Sequence, residues 1–266
     1  MTWSEVVGAR RAEVSHPVAS RLIESILTKQ SAVMLSGDVS STNELIKLIE
    51  KVHPWIAAIK THIDCMEGGS DGWEDVIACC REKDLPIMED RKFADIGAIS
   101  YQQMLKGVNI AGWADVVTAH GVSGPDIIDG IIDAWKGEGR QGGVVLLAQM
   151  SSRGNLVEAM LTEPVVEMGE GNPGVIGYIG NGSNPEAIKR LRMIAPASQL
   201  ILTPGIHPDA GGGERGQRYG TPERAIEAGS DMVIIGSAIY RAANPADVAK
   251  RCAAATLDGF VRRATK

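Results

Sequence analysis

The stretch "IMEDRKFADIG", residues 87–97, runs an apolar strand end straight into Asp90, Lys92 and Asp95. Charge clusters are commonly solvated turns, so the surroundings have to decide how this one is read. Working outward, Leu85–Met88 is one of eight short apolar, β-branched runs. The others are Ala32–Leu35, Trp55–Ile59, Ala114–Val117, Val144–Ala148, Val175–Ile179, Leu200–Leu202 and Met232–Ile235. Their starts recur roughly every thirty residues, the length of one strand-plus-helix unit. Between them lie stretches with helical spacing: Asn43–Val52, Asp71–Lys83, Pro185–Ile194 and Pro222–Ala228. Pro185 and Pro222 stand where a first helical turn accepts proline. Near-continuous apolar strands, each followed by a helix, imply a parallel sheet covered by helices. The pattern therefore predicts an α/β fold, a closed (β/α)₈ TIM barrel preceded by an extra N-terminal helix over His16–Thr28. We expect a single domain over 1–266, with a helical lead-in over 1–30, the barrel over 31–243 and a C-terminal helix within 244–266. An open doubly wound sheet would carry a dinucleotide loop after its first strand, and "SGDVSSTNE" (36–44) is not such a loop.

Bulk properties narrow the partners. The net charge of −6 offers no basic field for nucleic acid or an anionic membrane, so an anionic ligand must be held by local cations and backbone amides. Cys65, Cys79, Cys80 and Cys252 form no CxxC pair and no metal-ligand spacing with the histidines. They read as reduced packing residues of a cytoplasmic protein. The N-terminus lacks the apolar core of a signal peptide, and no apolar run approaches spanning length.

In a barrel of this kind, chemistry gathers where the carboxyl ends of the strands meet the following loops. Those ends read Asp38, Lys60 with His62, Asp90 with Lys92 and Asp95, His120, Ser151, Pro204-Gly205 and Gly236-Ser237. Asp38, Lys60, Asp90 and Lys92 come from three consecutive strands, which neighbour one another about 4.8 Å apart. They are expected to converge as a ring of alternating charge. At about 4 Å and an effective dielectric near 20, each pair interaction is worth roughly 4 kcal/mol. A purely structural ion-pair network is the competing reading. Buried networks add little net stability, which favours function at a barrel mouth.

"DRKFADIG" (90–97), "KTHID" (60–64), "GD" (37–38), "AHGVSGP" (119–125) and "TPGI" (203–206) closely resemble the orotidine 5′-phosphate decarboxylase family. The likeness runs in order from about Ala32 to Ala243. It implies decarboxylation of orotidine 5′-phosphate to UMP in pyrimidine biosynthesis, without metal or cofactor. It also implies a homodimer in which Asp95 reaches the partner's site. Lys92, Asp90, Lys60 and Asp95 would be catalytic, with Lys92 the proton donor to C6. Asp38 and Lys60 would also meet the ribose, Ser151 the pyrimidine, and Gln217 and Tyr219 the phosphate from a closing loop. Backbone near Pro204, Gly205 and Gly236 would add donors to the phosphate, and Ile96 would line the site.

Two positions depart from the family pattern. Ile99 takes the place of a threonine that assists Asp95 at the ribose, with Ser100 next to it as a substitute. Ser237 takes the place of an arginine that pairs with the phosphate, leaving Arg215, Arg218 or Arg241 to compensate. The alternatives are a magnesium-dependent sugar-phosphate decarboxylase or aldolase, which wants an acidic ligand where Lys60 stands, and a non-catalytic nucleotide-binding barrel.

Overall fold

The structure, a computed structural model, describes residues 1–209 and 220–265. Eight parallel strands close on themselves in sequence order. They are β1 (Val33–Ser36), β2 (Ala58–Thr61), β3 (Ile87–Phe93), β4 (Val116–Ala119), β5 (Gly143–Leu147), β6 (Val175–Ile179), β7 (Leu200–Thr203) and β8 (Met232–Ile235). Seven of the eight are buried along their whole length, as the apolar runs require, and β3 is buried except at Asp90–Lys92. Closure comes from β1 pairing with β8, Val33 opposite Val233 and Leu35 opposite Ile235.

Twelve helices accompany the strands among the described residues. Two precede the barrel, α1 (Trp3–Glu13) and α2 (Pro17–Lys29), where the sequence reading expected one. Helix α1 has no pronounced apolar stripe, and its signal lies in its cap. Thr2 Oγ1 accepts the Glu5 N–H at 3.3 Å, and Glu5 Oε2 accepts the Thr2 N–H at 2.7 Å, a reciprocal capping box. Around the barrel follow α3 (Thr42–Val52), α4 (Trp73–Glu82), α5 (Gly97–Leu105), α6 (Asp126–Gly137), α7 (Val157–Met160), α8 (Thr162–Glu170), α9 (Pro185–Ile194), α10 (Pro222–Glu227), α11 (Ser237–Tyr240) and α12 (Pro245–Arg263). Asn184 and Asn244 cap α9 and α12, each followed by a proline at the first helical position.

Two packing features frame the barrel, one at each end. Helices α5 and α6 cross closely, because a Cβ at Gly97 would run into the Asp126 carbonyl and one at Gly130 into the Gly97 carbonyl. At the opposite end of the barrel, Asp231 is fully buried, and Arg10 Nε from α1 reaches its Oδ1 at 2.7 Å. Arg192 and Arg263 approach the same carboxylate at 3.6 and 3.9 Å, so three helices are tied to the start of β8.

Strand β3 is longer than expected. The sequence reading ended it at Met88, and the structure carries it through the charged residues to Phe93, which pairs with Ala119. Its register shifts between Glu89 and Phe93, and Lys92 adopts the left-handed region at φ 51°. That conformation is uncommon for a residue with a side chain, and such strain concentrates at functional sites.

Candidate active site

The extension of β3 explains how one short segment offers two opposite charges to the same centre. The Thr118 hydroxyl, on neighbouring β4, accepts the Lys92 N–H at 3.0 Å and donates to Asp90 Oδ1 at 2.7 Å. One buried hydroxyl thus holds the left-handed turn and fixes Asp90, leaving Oδ2 free to face the mouth. That oxygen meets Lys92 Nζ at 2.7 Å, His62 Nε2 at 3.2 Å and Lys60 Nζ at 3.3 Å. Lys60 continues to Asp38 Oδ1 at 3.5 Å, and the Ser36 hydroxyl donates to Asp38 Oδ2 at 2.6 Å.

All four residues expected to form the ring therefore meet. The sequence reading placed His62 at the strand end without giving it a part, and it stands at the centre. Its Nδ1 lies 2.7 Å from Asp38 Oδ1, and its ring is 3.1–3.4 Å from the two ammonium groups. A lone histidine beside a strand gives no sign of this, but the two-residue spacing Lys60-Thr61-His62 puts both side chains on one face. Thr118 and Ser36 were also missed, since a hydroxyl inside "VVTA" or "MLSG" reads as ordinary strand.

Burial favours the neutral carboxyl at Asp90, and hydrogen bonding to His62 with the charges of Lys60 and Lys92 reverses this, holding it well below the usual range. At Asp38 burial is likewise overcome, by the His62 hydrogen bond and by Lys60. Burial lowers the basicity of His62, but its bonds to Asp38 and Asp90 win and raise it. Two lysines stand against two carboxylates, and protonation of His62, which both carboxylates favour, adds positive charge to the cluster.

The other expected residues sit around this centre in different ways. Asp95 is exposed, with Oδ1 accepting the Ile96 N–H at 2.8 Å, and lies outside the ring. Ser100 is buried and its hydroxyl donates to the Asp95 carbonyl at 3.2 Å, so it supports Asp95 through the backbone. Ile96 and Ile99 are exposed on the same turn. Ser151 is half-buried after β5. Pro204 and Gly205 follow β7; the Pro204 carbonyl accepts from Gly182 at 3.1 Å and the Gly205 carbonyl from Gly220 at 3.0 Å. A Cβ at Gly236 would lie 3.6 Å from Asp38 Oδ2, so the β8 exit borders the ring directly. Ser237 opens α11, and Arg241 is exposed with its guanidinium 5.8 Å from the Tyr240 ring centre. Gln217, Tyr219, Arg215 and Arg218 lie outside the described residues.

Residues 31–252 match the family model described as "Orotidine 5'-phosphate decarboxylase / HUMPS family". The chain belongs to this family. Among its relatives, an orotidine 5′-phosphate decarboxylase of Schizophyllum commune is 37% identical, covering 88% of this chain and 85% of that protein. One of Pachysolen tannophilus is 36% identical, covering 99% of this chain and 98% of that one. The crystal structure of orotidine 5′-phosphate decarboxylase from Pyrococcus horikoshii superposes with a TM-score of 0.68 at 27% identity, over 84% of this chain and 98% of that one. Family membership thus agrees with the barrel and with the charged ring at its mouth.

Proposed function

We propose that the cluster at the barrel mouth decarboxylates orotidine 5′-phosphate to UMP, a step of pyrimidine biosynthesis, with Lys92 delivering the proton to C6. The reaction is the one for which relatives matched over nearly the whole chain are named, and it is one of the two in the family's description. The single observation that carries the assignment of residues is Asp90 Oδ2, which touches Lys60, Lys92 and His62 at once.

Loss of carbon dioxide from C6 leaves an electron pair in the plane of the pyrimidine ring, with no conjugated system to spread it. The site must therefore stabilise that pair electrostatically. Lys92, held by Asp90 at 2.7 Å, is the cation aimed from the mouth. The bond from C6 to the carboxylate breaks, its electrons stay on C6, and an ammonium proton of Lys92 moves there. Asp90 lies beside the departing carboxylate and disfavours it in the ground state. Asp38, Lys60 and His62 keep this pair in place and face the ribose. The phosphate falls at the exits of β7 and β8, where the backbone after Gly205 and Gly236 and the Ser237 hydroxyl can donate to it. Binding energy gained so far from C6 holds the reacting carbon against Lys92.

A divalent cation, as in the sugar-phosphate alternative, would meet the Lys60 ammonium at the end of β2. The exposed side chains of Asp95, Ile96 and Ile99 after β3 support a homodimer in which Asp95 completes the partner's site. No helix among the described residues is long and apolar enough to cross a membrane, and reduced cysteines support a cytoplasmic setting. The direct test is incubation with orotidine 5′-phosphate under continuous ultraviolet detection. Formation of UMP supports the reading, and an unchanged spectrum overturns it.

A further inference from the structure

Glu89 is a fully buried carboxyl within β3 that no step above uses. Its Oε2 accepts the Thr61 hydroxyl at 2.7 Å, and its Oε1 accepts the Ile63 N–H at 3.1 Å. Thr61 and Ile63 are the residues on either side of His62. The β2–β3 ladder ends at Thr61 opposite Glu89, and beyond it the chain turns into a short 3₁₀ turn over Ile63–Cys65. At that departure the buried Ile63 N–H loses its strand partner, and an unpaired buried donor is costly. The Glu89 side chain replaces the missing carbonyl.

Resting on the functional reading above, we propose that Glu89 is a positioning residue for the decarboxylation. It grips the chain on both sides of His62, sets the imidazole between Asp38 and Asp90, and through it orients both carboxylates of the ring. The alternation of strand residues separates the two tasks. Asp90 points toward the mouth with Lys60, while Glu89, one residue earlier, points to the other face and reaches the backbone that carries His62.

The contacts do not depend on charge. Burial raises the Glu89 carboxyl to about 7, against the opposing hydrogen bonds from Thr61 and Ile63, so both of its forms occur near neutrality. In the protonated form Oε2 donates to Thr61, whose hydroxyl turns to the Met88 carbonyl 3.5 Å away. Glutamine can make the same pair of contacts, with its amide oxygen on Ile63 and its NH₂ on Thr61. Alanine makes neither.

The test compares Glu89→Ala, Glu89→Gln and Thr61→Val with the unaltered protein. Two readouts are taken: kcat and KM for orotidine 5′-phosphate, and the ring-nitrogen NMR resonances of His62, assigned through His62→Gln. Glu89→Ala is expected to lower kcat about 100-fold with a smaller change in KM, since misplacing a catalytic group by an ångström costs on that order. Its His62 resonances should move. Glu89→Gln should restore both kcat and the resonances. If Glu89→Ala does not fold, Thr61→Val, which removes one contact, should lower kcat less and still shift His62. Unmoved His62 resonances in Glu89→Ala or Thr61→Val, or a Glu89→Gln protein as slow as Glu89→Ala, would overturn the proposal. The resonances read the position of His62 even if the unaltered protein leaves orotidine 5′-phosphate intact, which separates failure here from failure of the functional reading.

Discussion

Asp90 divides its two oxygens between support and chemistry. Oδ1 takes the Thr118 hydroxyl, and Oδ2 takes three cationic or basic groups within 3.3 Å. This division needs Lys92 in a conformation that costs about 1–3 kcal/mol for a residue bearing a side chain, and the Thr118 hydroxyl on its N–H holds it there. Ser237, with Ile99, is one of two positions at which the resemblance leads one to expect another residue, here a hydroxyl where a guanidinium is expected to pair with phosphate. Ser237→Arg should lower KM for orotidine 5′-phosphate with little change in kcat, because the added contact is equally present before and during bond breaking. A charged hydrogen bond contributes about 1.5–3 kcal/mol, so the expected fall is roughly 10- to 100-fold. An unchanged KM would place the phosphate elsewhere. At this scale the sequence showed the four charges but not what orients them. Charges at strand ends announce themselves, whereas His62, Thr118 and Glu89 act through contacts between strands that only the register creates.

Strand β3 and helix α1 were the elements least legible in the sequence, for opposite reasons. The charges of β3 look like the end of a strand, yet pairing of Phe93 with Ala119 carries it past them. Helix α1 lacks a strong apolar stripe and is held by its capping box and by the buried Arg10–Asp231 pair. The alternation of apolar runs with helices was plain at α3, α4, α9 and α10, because each strand is buried and each of these helices buries apolar residues on one side, while α5, α6 and α8 were not singled out. Arg10 also donates to the carbonyls of Ala197 and Gln199, so it binds α1 to the floor of the barrel. Arg10→Ala should destabilise the protein by about 3 kcal/mol, since removing one partner leaves a buried charge under-compensated. The midpoint of urea unfolding measures this, and an unchanged midpoint would contradict it. The folded-state pKa of Asp231 is depressed, because Arg10, Arg263 and Arg192 outweigh its burial. Its stabilisation is therefore fully present above the ordinary carboxylate value near 3.8 and is lost as pH falls through the lower folded value. The deficit of Arg10→Ala should accordingly shrink below about pH 4.

The closed barrel gives the site its layout. Consecutive β1, β2 and β3 bring Asp38, Lys60 and Asp90 together, and β8 returns beside β1 to set Gly236 against Asp38. Reacting carbon, ribose and phosphate can thus be met in order around one rim. The turn after β3 exposes Asp95 and leaves Ile96 59% exposed, an apolar side chain that association of two copies would cover. Ile96→Glu should shift sedimentation toward the monomer and make activity per chain fall on dilution; a dimer and an activity both untouched would contradict that interface. In the proposed mechanism the electrostatics of the charged cluster, acting through Lys92, removes the carboxylate. Its most direct test is the initial rate of orotidine 5′-phosphate consumption with EDTA present, for the protein and for Lys92→Ala. The unaltered protein should keep full activity in EDTA, and Lys92→Ala should lose at least about 10³-fold, from the combined removal of proton delivery and charge stabilisation. Activity abolished by EDTA and restored by magnesium, or a Lys92→Ala protein as fast as the unaltered one, would contradict it.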